Sequence, residues 1–153
     1  MQKSKVKSKN YNSKLKSTKI LERAVDFHGH LGPYLVLGML AGKVALKKLK
    51  CKKYFGLNVK VYGANKKPKS CLIDGLQLST GATYGKGNIH KFNGSLIRID
   101  FYDELKNKRI VLKLKKNLKE RLRAAKTHRD AQLLAKKLYK TNYLELFKLT
   151  PKI

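Results

Sequence analysis

Between Pro33 and Leu46 the chain reads PYLVLGMLAGKVAL, an apolar run interrupted by the single charge of Lys43. A helix built from such a run has no wet face, so it must be buried on nearly every side. Pro33 is suited to the first helical position, where its missing N–H costs nothing. Gly38 and Gly42 lie one turn apart and leave room for a neighbouring backbone to approach closely. The remaining elements therefore have to wrap a central helix. With 153 residues, the chain is long enough to do this in one domain with a real core, and too short to argue for two of ordinary size.

What wraps it is legible in the periodicities. Ile20, Leu21, Ala24, Val25 and Phe27 recur at helical spacing and predict a short amphipathic helix running into His28, broken by Gly29 and Gly32. Leu57, Val59 and Val61 alternate with polar residues, which is the period of a half-buried strand. Cys71–Thr80 carries Leu72, Ile73, Leu76 and Leu78 and ends at Gly81, predicting a short helix, and the glycine-rich stretch from Gly81 to Asn88 predicts a loop. Residues 88–93, 96–102 and 108–115 read as strands, the last two joined as a hairpin over 103–107. Residues 116–143 return to helical spacing, with Ala131, Leu134, Ala135 and Leu138 on one face. No strict βαβ alternation is present. The expected fold is thus α+β: a mixed, mainly antiparallel sheet covered by helices, with a helical carboxy-terminal extension. In domain terms, residues 1–17 are expected to be a flexible basic tail, 18–115 the α+β domain, and 116–153 a basic helical extension packed on it.

The formal charge is +28, from 37 basic and 9 acidic residues. That excess predicts at least weak, salt-sensitive and nonspecific polyanion binding. Arg residues are few (Arg23, Arg98, Arg109, Arg121, Arg123 and Arg129), whereas base reading and bidentate phosphate contacts favour the Arg fork. The Lys residues are spread over nearly every segment, which reads as a solvated surface first. A basic module that binds nucleic acid through the Lys-rich tail and carboxy-terminal helix stands as the alternative function. No apolar run is long enough for a membrane span, and no signal-type segment stands at the amino terminus, so a cytoplasmic protein is expected. Cys51 and Cys71 are expected to be reduced thiols.

His28 and His30 flank Gly29 at the predicted helix break. Two residues apart they cannot share one face of a regular helix, but a permissive turn can aim both rings at one ion. By spacing alone they read first as ordinary surface or helix-end histidines. Cys71 by itself reads first as a small buried hydrophobe. Nitrogen and thiolate donors together suit zinc, with iron, nickel and copper left open by ligand type. Asp74 and Gln77 fall on the same helical face as Cys71 and would line a small pocket beside the loop, with Asp74 as ligand, orienting partner or proton acceptor. The loop amides and Lys86 could cradle an anion, or the loop could be a tight turn into a strand; the P-loop spacing is not met. His90 and His128 are read as non-functional, and no serine-hydrolase or thioredoxin-like pattern is present.

Two segments carry a family resemblance: Phe27-His-Gly-His-Leu-Gly-Pro33, and Cys71-Leu-Ile-Asp-Gly-Leu-Gln-Leu-Ser-Thr-Gly-Ala-Thr-Tyr-Gly-Lys-Gly-Asn88. They resemble the two signatures of the E-subunit family of formylmethanofuran dehydrogenase (FmdE/FwdE-like proteins), H-G-H-L-C-P-G and C-x-x-D-x-x-Q-x-x-T-G-C-T-x-G-K-G-N. The resemblance covers roughly residues 18–115. It implies an α+β fold like the catalytic domain of glyceraldehyde-3-phosphate dehydrogenase. It also implies a metal site, zinc or another divalent transition metal, at His28, His30 and Cys71. Asp74, Gln77, Thr83 and Lys86 would stand around it. A homodimer, a place in a larger oxidoreductase complex, and an unidentified small-molecule ligand are implied as well. It does not imply dehydrogenase catalysis, and no reaction is assigned. Gly32 and Ala82 stand where the family usually carries Cys, which removes two soft donors, and Tyr34 replaces a usual Gly. The family's frequent Cys-rich carboxy-terminal ribbon is replaced by a Lys-rich segment.

Overall fold

The protein is described by a computed structural model that covers the backbone of residues 2–152 and the side chains of residues 13–151. The chain divides into two compact units, residues 1–31 and 32–153.

The first unit is built on α1 (Gln2–His28). The sequence predicts a tail over residues 1–17 followed by a short helix; the helix instead runs through both from Gln2, residue 1 lying outside the described residues. No Gly or Pro precedes Gly29 to interrupt it, and Lys, Leu and Glu are good helix formers. The stop is local. Gly29 takes a left-handed φ of 98° while its N–H still donates to the Val25 carbonyl at 2.7 Å.

The second unit opens on α2 (Pro33–Leu49), with Pro33 in its first turn and Lys50 closing it in a left-handed conformation, its N–H shared between the Leu46 and Lys47 carbonyls. Leu35, Val36, Leu37, Ala41 and Ala45 are fully buried, as the all-apolar run predicts. Against α2 packs α3 (Cys71–Thr80), whose bounds match the sequence expectation and which ends at Gly81 with φ 72°. The two helices approach to backbone contact. A Cβ at Gly38 would lie 2.0 Å from the Leu72 carbonyl oxygen, and one at Gly75 2.0 Å from that of Leu35.

The sheet consists of β1 (Leu57–Tyr62), β2 (Ile89–Phe92), β3 (Arg98–Asp103), β4 (Lys108–Leu114) and β5 (Phe147–Lys152), in the spatial order β2-β1-β3-β4-β5. β1 and β2 are parallel and every other pairing is antiparallel, so the sheet is mixed and mainly antiparallel, as expected. Alternation sorts its faces. Val59, Phe101 and Ile110 fall in one register row, Val61, Ile99 and Leu112 in another, and all six are buried.

The carboxy-terminal extension departs from the expectation of a helical segment, because the chain beyond residue 115 is not helical to its end. It forms α4 (Leu118–Ala124), α5 (His128–Tyr139) and α6 (Tyr143–Leu146), and then returns as β5 along the outer edge of β4. Thr127 and Asn142 cap α5 and α6 through their side-chain oxygens. Phe147 is buried and Lys148 exposed, and Leu149 and Thr150 fall on the same two faces in turn, which is a strand period that four residues of α6 do not override. On α5, Ala135 and Leu138 are buried, with Ala131 and Leu134 half-buried beside them. Among the described residues, no helix is long and apolar enough to cross a membrane.

Candidate functional site

In the first unit, His28 ends α1 half-buried and His30 follows exposed. The left-handed Gly29 between them turns the chain, and a Cβ there would meet open space, so its role is conformational rather than steric. The turn brings the two rings to a centroid separation of 4.8 Å with a 43° tilt. Two imidazoles on one tetrahedral ion, with metal–nitrogen bonds of about 2.0–2.1 Å, have centroids about 5 Å apart. The separation of the two rings is close to that value. Among the described residues, no group of three or more His, Cys, Asp and Glu side chains is gathered so as to hold a metal. Of the three expected donors, His28 and His30 are the pair brought together, and Cys71 belongs to the other unit.

In the second unit, Cys71 opens α3, with Asp74 and Gln77 on the following turns of the same face. Gln77 Nε2 donates to Asp74 Oδ1 at 3.3 Å, and Gln77 Oε1 accepts from the Tyr84 amide at 3.0 Å, tying the helix face to the loop. Cys71 and Cys51 are both free thiols. Burial pushes the Cys71 thiol pKa up, the Asp74 carboxylate adds to this, and Lys67 partly offsets it. Burial and then Asp103 raise that of Cys51 in the same way.

The loop Gly81–Asn88 resolves an alternative that the residues leave open. An anion cradle needs amides that point outward. Here the Gly81 amide goes to the Gln77 carbonyl, that of Ala82 to Thr80 Oγ1, that of Thr83 to Asn88 Oδ1, that of Lys86 to Thr83 Oγ1, and that of Gly87 to the Tyr84 carbonyl. With Tyr84 bonded to Gln77, six of the eight loop amides are consumed in holding the turn. Thr83 and Asn88 are its internal staples, and Asn88 Nδ2 also donates to the Leu57 carbonyl at 3.3 Å. Lys86 leaves the loop outward: its ammonium donates to the Tyr54 carbonyl at 2.7 Å and sits 4.8 Å from the Phe55 ring centroid.

Lys86 and Asn88 also line a cleft of about 270 Å³ completed by Phe55, Gly56, Leu57, Asn58 and Glu104. Sequence reasoning passes over Phe55, Asn58 and Glu104. Phe55 is the available signal, a large aromatic beside Gly56 that is 76% exposed. Glu104 lies far along the chain, and only the antiparallel pairing of β1 with β3 brings it to Asn58, whose Nδ2 donates to its carboxylate.

Comparison with known proteins adds three findings. The sequence model described as "FmdE, Molybdenum formylmethanofuran dehydrogenase operon" matches residues 27–148. A protein of Archaeoglobus fulgidus described as a probable S-adenosyl-L-methionine-binding protein is 36% identical over 90 residues, which are 58% of this chain and 23% of that relative. This chain thus spans about a quarter of that relative's length. The crystal structure of a tungsten formylmethanofuran dehydrogenase FmdE-like protein from Syntrophus aciditrophicus superposes with a TM-score of 0.59 over 89% of this chain and 71% of that one, at 19% identity, a likeness of fold.

Proposed function

The chain belongs to the FmdE family, and on that premise we propose that it is a transition-metal-binding protein whose nitrogen donors are His28 and His30, with zinc as the first candidate ion. The observation that carries this reading is the pair of imidazoles held 4.8 Å apart across Gly29, a separation suited to one tetrahedral ion. Cys71 carries over from the family signature as a thiolate donor. Its raised thiol pKa means that binding there would displace a proton and weaken as pH falls. A bound ion with an open position would supply Lewis-acid polarisation of a ligand carbonyl.

Beside metal binding, we assign a small-molecule ligand to the 270 Å³ cleft that Lys86 and Asn88 share with Phe55 and Glu104. Its aromatic wall, cation and carboxylate suit a ligand with a flat ring and polar substituents. S-adenosyl-L-methionine is the first compound to try, given the name of the Archaeoglobus relative. The family's operon description supports a larger oxidoreductase complex as the partner, with a homodimer and a cytoplasmic location completing the proposal.

The test is elemental analysis of untreated protein, with calorimetric titration of zinc into chelator-treated protein. Wild type is expected to bind one equivalent. The His28→Ala and His30→Ala variants are expected to lose at least tenfold in affinity each, or about 1.4 kcal/mol. Cys71→Ser is the separate arm that tests the thiolate. No metal in the purified protein, and zinc affinity unchanged in both histidine variants, would overturn the assignment.

A further inference from the structure

The sheet has a second face, opposite the buried rows. Register places three rows of side chains on it. One runs Phe92, Tyr62, Arg98, Lys113, Lys148; the next runs His90, Lys60, Asp100, Val111, Thr150; the third carries Asn58, Tyr102 and Arg109. Apart from Val111, which sits among long side chains, every residue of these rows is half-buried or exposed. A solvent face of an antiparallel sheet ordinarily carries small and polar residues. This one carries three aromatic rings.

Those rings are arranged as flat surfaces. Tyr62 and Phe92 stack across β1 and β2 with centroids 5.1 Å apart and planes 22° off parallel. The Arg98 guanidinium lies 4.1 Å from the Tyr62 centroid, extending the stack onto β3. Tyr102 stands roughly 13 Å along the strands, four residues of rise, on the neighbouring strand. It has Arg109 at 5.5 Å from its centroid, and its hydroxyl donates to Asn107 Oδ1 at 2.9 Å. Cross-strand packing alone would account for buried rings. It does not account for Phe92, which is 41% exposed on an edge strand.

The charge on this face is mainly positive. Lys60, Arg98, Arg109, Lys113 and Lys148 are cationic. Two carboxylates lie with them: Asp100, which pairs with Arg98 at 3.0 Å, and Glu104 at the border, which accepts from Asn58 Nδ2. Two of the six arginines in the chain therefore fall on this face, each beside a tyrosine. Two copies of the face brought together would set cation against cation, which disfavours a second copy as occupant.

We propose that the open sheet face binds single-stranded nucleic acid. The exposed Phe92 ring, the half-buried Tyr102 ring and the Arg98 guanidinium plane offer stacking surfaces to unpaired bases, while the lysines and Arg109 bordering them meet the phosphates. A duplex hides its base faces and could use the charges alone. The platform differs from the tail and carboxy-terminal helix in what it recognises: those segments offer charge, and this face offers charge interleaved with rings.

The experiment is fluorescence anisotropy with the full chain at about 0.15 M salt, using labelled oligouridine and oligodeoxythymidine of about ten nucleotides and a duplex of equal length. Single strands are expected to bind more tightly than duplex. Phe92→Leu combined with Tyr102→Leu should lower single-strand affinity roughly 10- to 100-fold and leave duplex affinity unchanged, with Phe92→Tyr retaining binding. Replacing Lys136 and Lys137 of α5 and Lys140 at its carboxy-terminal cap by Gln should change single-strand affinity far less. A preference for the RNA or the DNA strand identifies the sugar contact, and both support the proposal. Thermal melts matching wild type keep the double variant interpretable, and Phe92→Tyr serves the same end if they do not match. The proposal is overturned if the aromatic variants bind single strands as wild type does, if duplex binds equally well, or if the α5 lysines matter as much as the rings. A dimer that the double variant abolishes would give the face to a second copy and overturn it too.

Discussion

Gly75→Ala tests how the helix carrying Cys71, Asp74 and Gln77 is seated. The added methyl carbon would stand 2.0 Å from the Leu35 carbonyl oxygen and 2.7 Å from the Met39 nitrogen, both backbone atoms of α2 that no rotamer change can move. Restoring a contact of about 3.5 Å requires α2 and α3 to part by roughly 1.5 Å. Leu35, Leu72 and Leu76 are fully buried, so that separation loosens a packed core. Alanine recovers about 1 kcal/mol of helix propensity over glycine. Overpacking against fixed neighbours costs about 1–3 kcal/mol and occasionally more, and immovable backbone places this site at the upper end. The expected net loss is about 2 kcal/mol, or a fall in Tm of about 4–8 °C for a chain of this size. Urea unfolding and thermal melts followed by circular dichroism measure it. Gly85→Ala is the control: nothing lies within 4 Å of its Cβ position, so stability should hold or rise by about 0.4–1 kcal/mol. A Gly75→Ala protein as stable as wild type would refute the backbone-contact argument.

Thr80→Val should cost about 1–3 kcal/mol in the same unfolding assay, because the buried Oγ1 donates to the Leu76 carbonyl at 2.6 Å and accepts from the Ala82 amide at 3.0 Å. Asn88→Ala removes both the Oδ1 acceptor of the Thr83 amide and the donor to the Leu57 carbonyl, whereas Asn88→Asp keeps the acceptor. Hydrogen exchange of the 81–88 amides should accelerate strongly in the Ala variant and less in the Asp variant; equal rates in both would show that Oδ1 does not pin the loop. Iodoacetamide labelling of Cys71, read by peptide mass, should be slow at neutral pH and rise only above the ordinary thiol value of about 8.5. Asp74→Asn should speed it, since the carboxylate helps to hold the thiol protonated. Labelling that is unchanged by Asp74→Asn would remove Asp74 as a cause.

Much of the fold was legible because its signals are local. The apolar run from Pro33 dictates a buried helix, and the spacing of Cys71–Thr80 between a lysine-rich turn and Gly81 bounds α3 to the residue. The carboxy-terminal strand was not legible. Phe147, Leu149 and the polar residues between them make too short an alternation to outweigh the helical residues before it, and only the free edge of β4 gives it a partner. The amino-terminal part of α1 was read as a tail for a different reason. A lysine-rich stretch with few apolar residues reads as a tail, although nothing in it forbids helical backbone.

For the candidate sites the division is sharper. Residues two apart around a glycine are a sequence fact, and Gly29 turns that fact into facing imidazoles. The row Cys71, Asp74, Gln77 follows from helical period alone. Which loop amides remain open is a question of accounting across the fold: Asn88 and Gln77 reach back to close the turn, and no spacing rule reports that. The cleft at Phe55 and Glu104, and the rings and cations collected on the open sheet face, exist because strand pairing joins residues tens of positions apart. By itself the sequence determined a buried helix, an α+β class, a basic surface and the family signatures, since composition and short periods encode each. Only the tertiary structure decided which polar groups are satisfied and which rings share a face, because register and pairing are properties of the whole sheet.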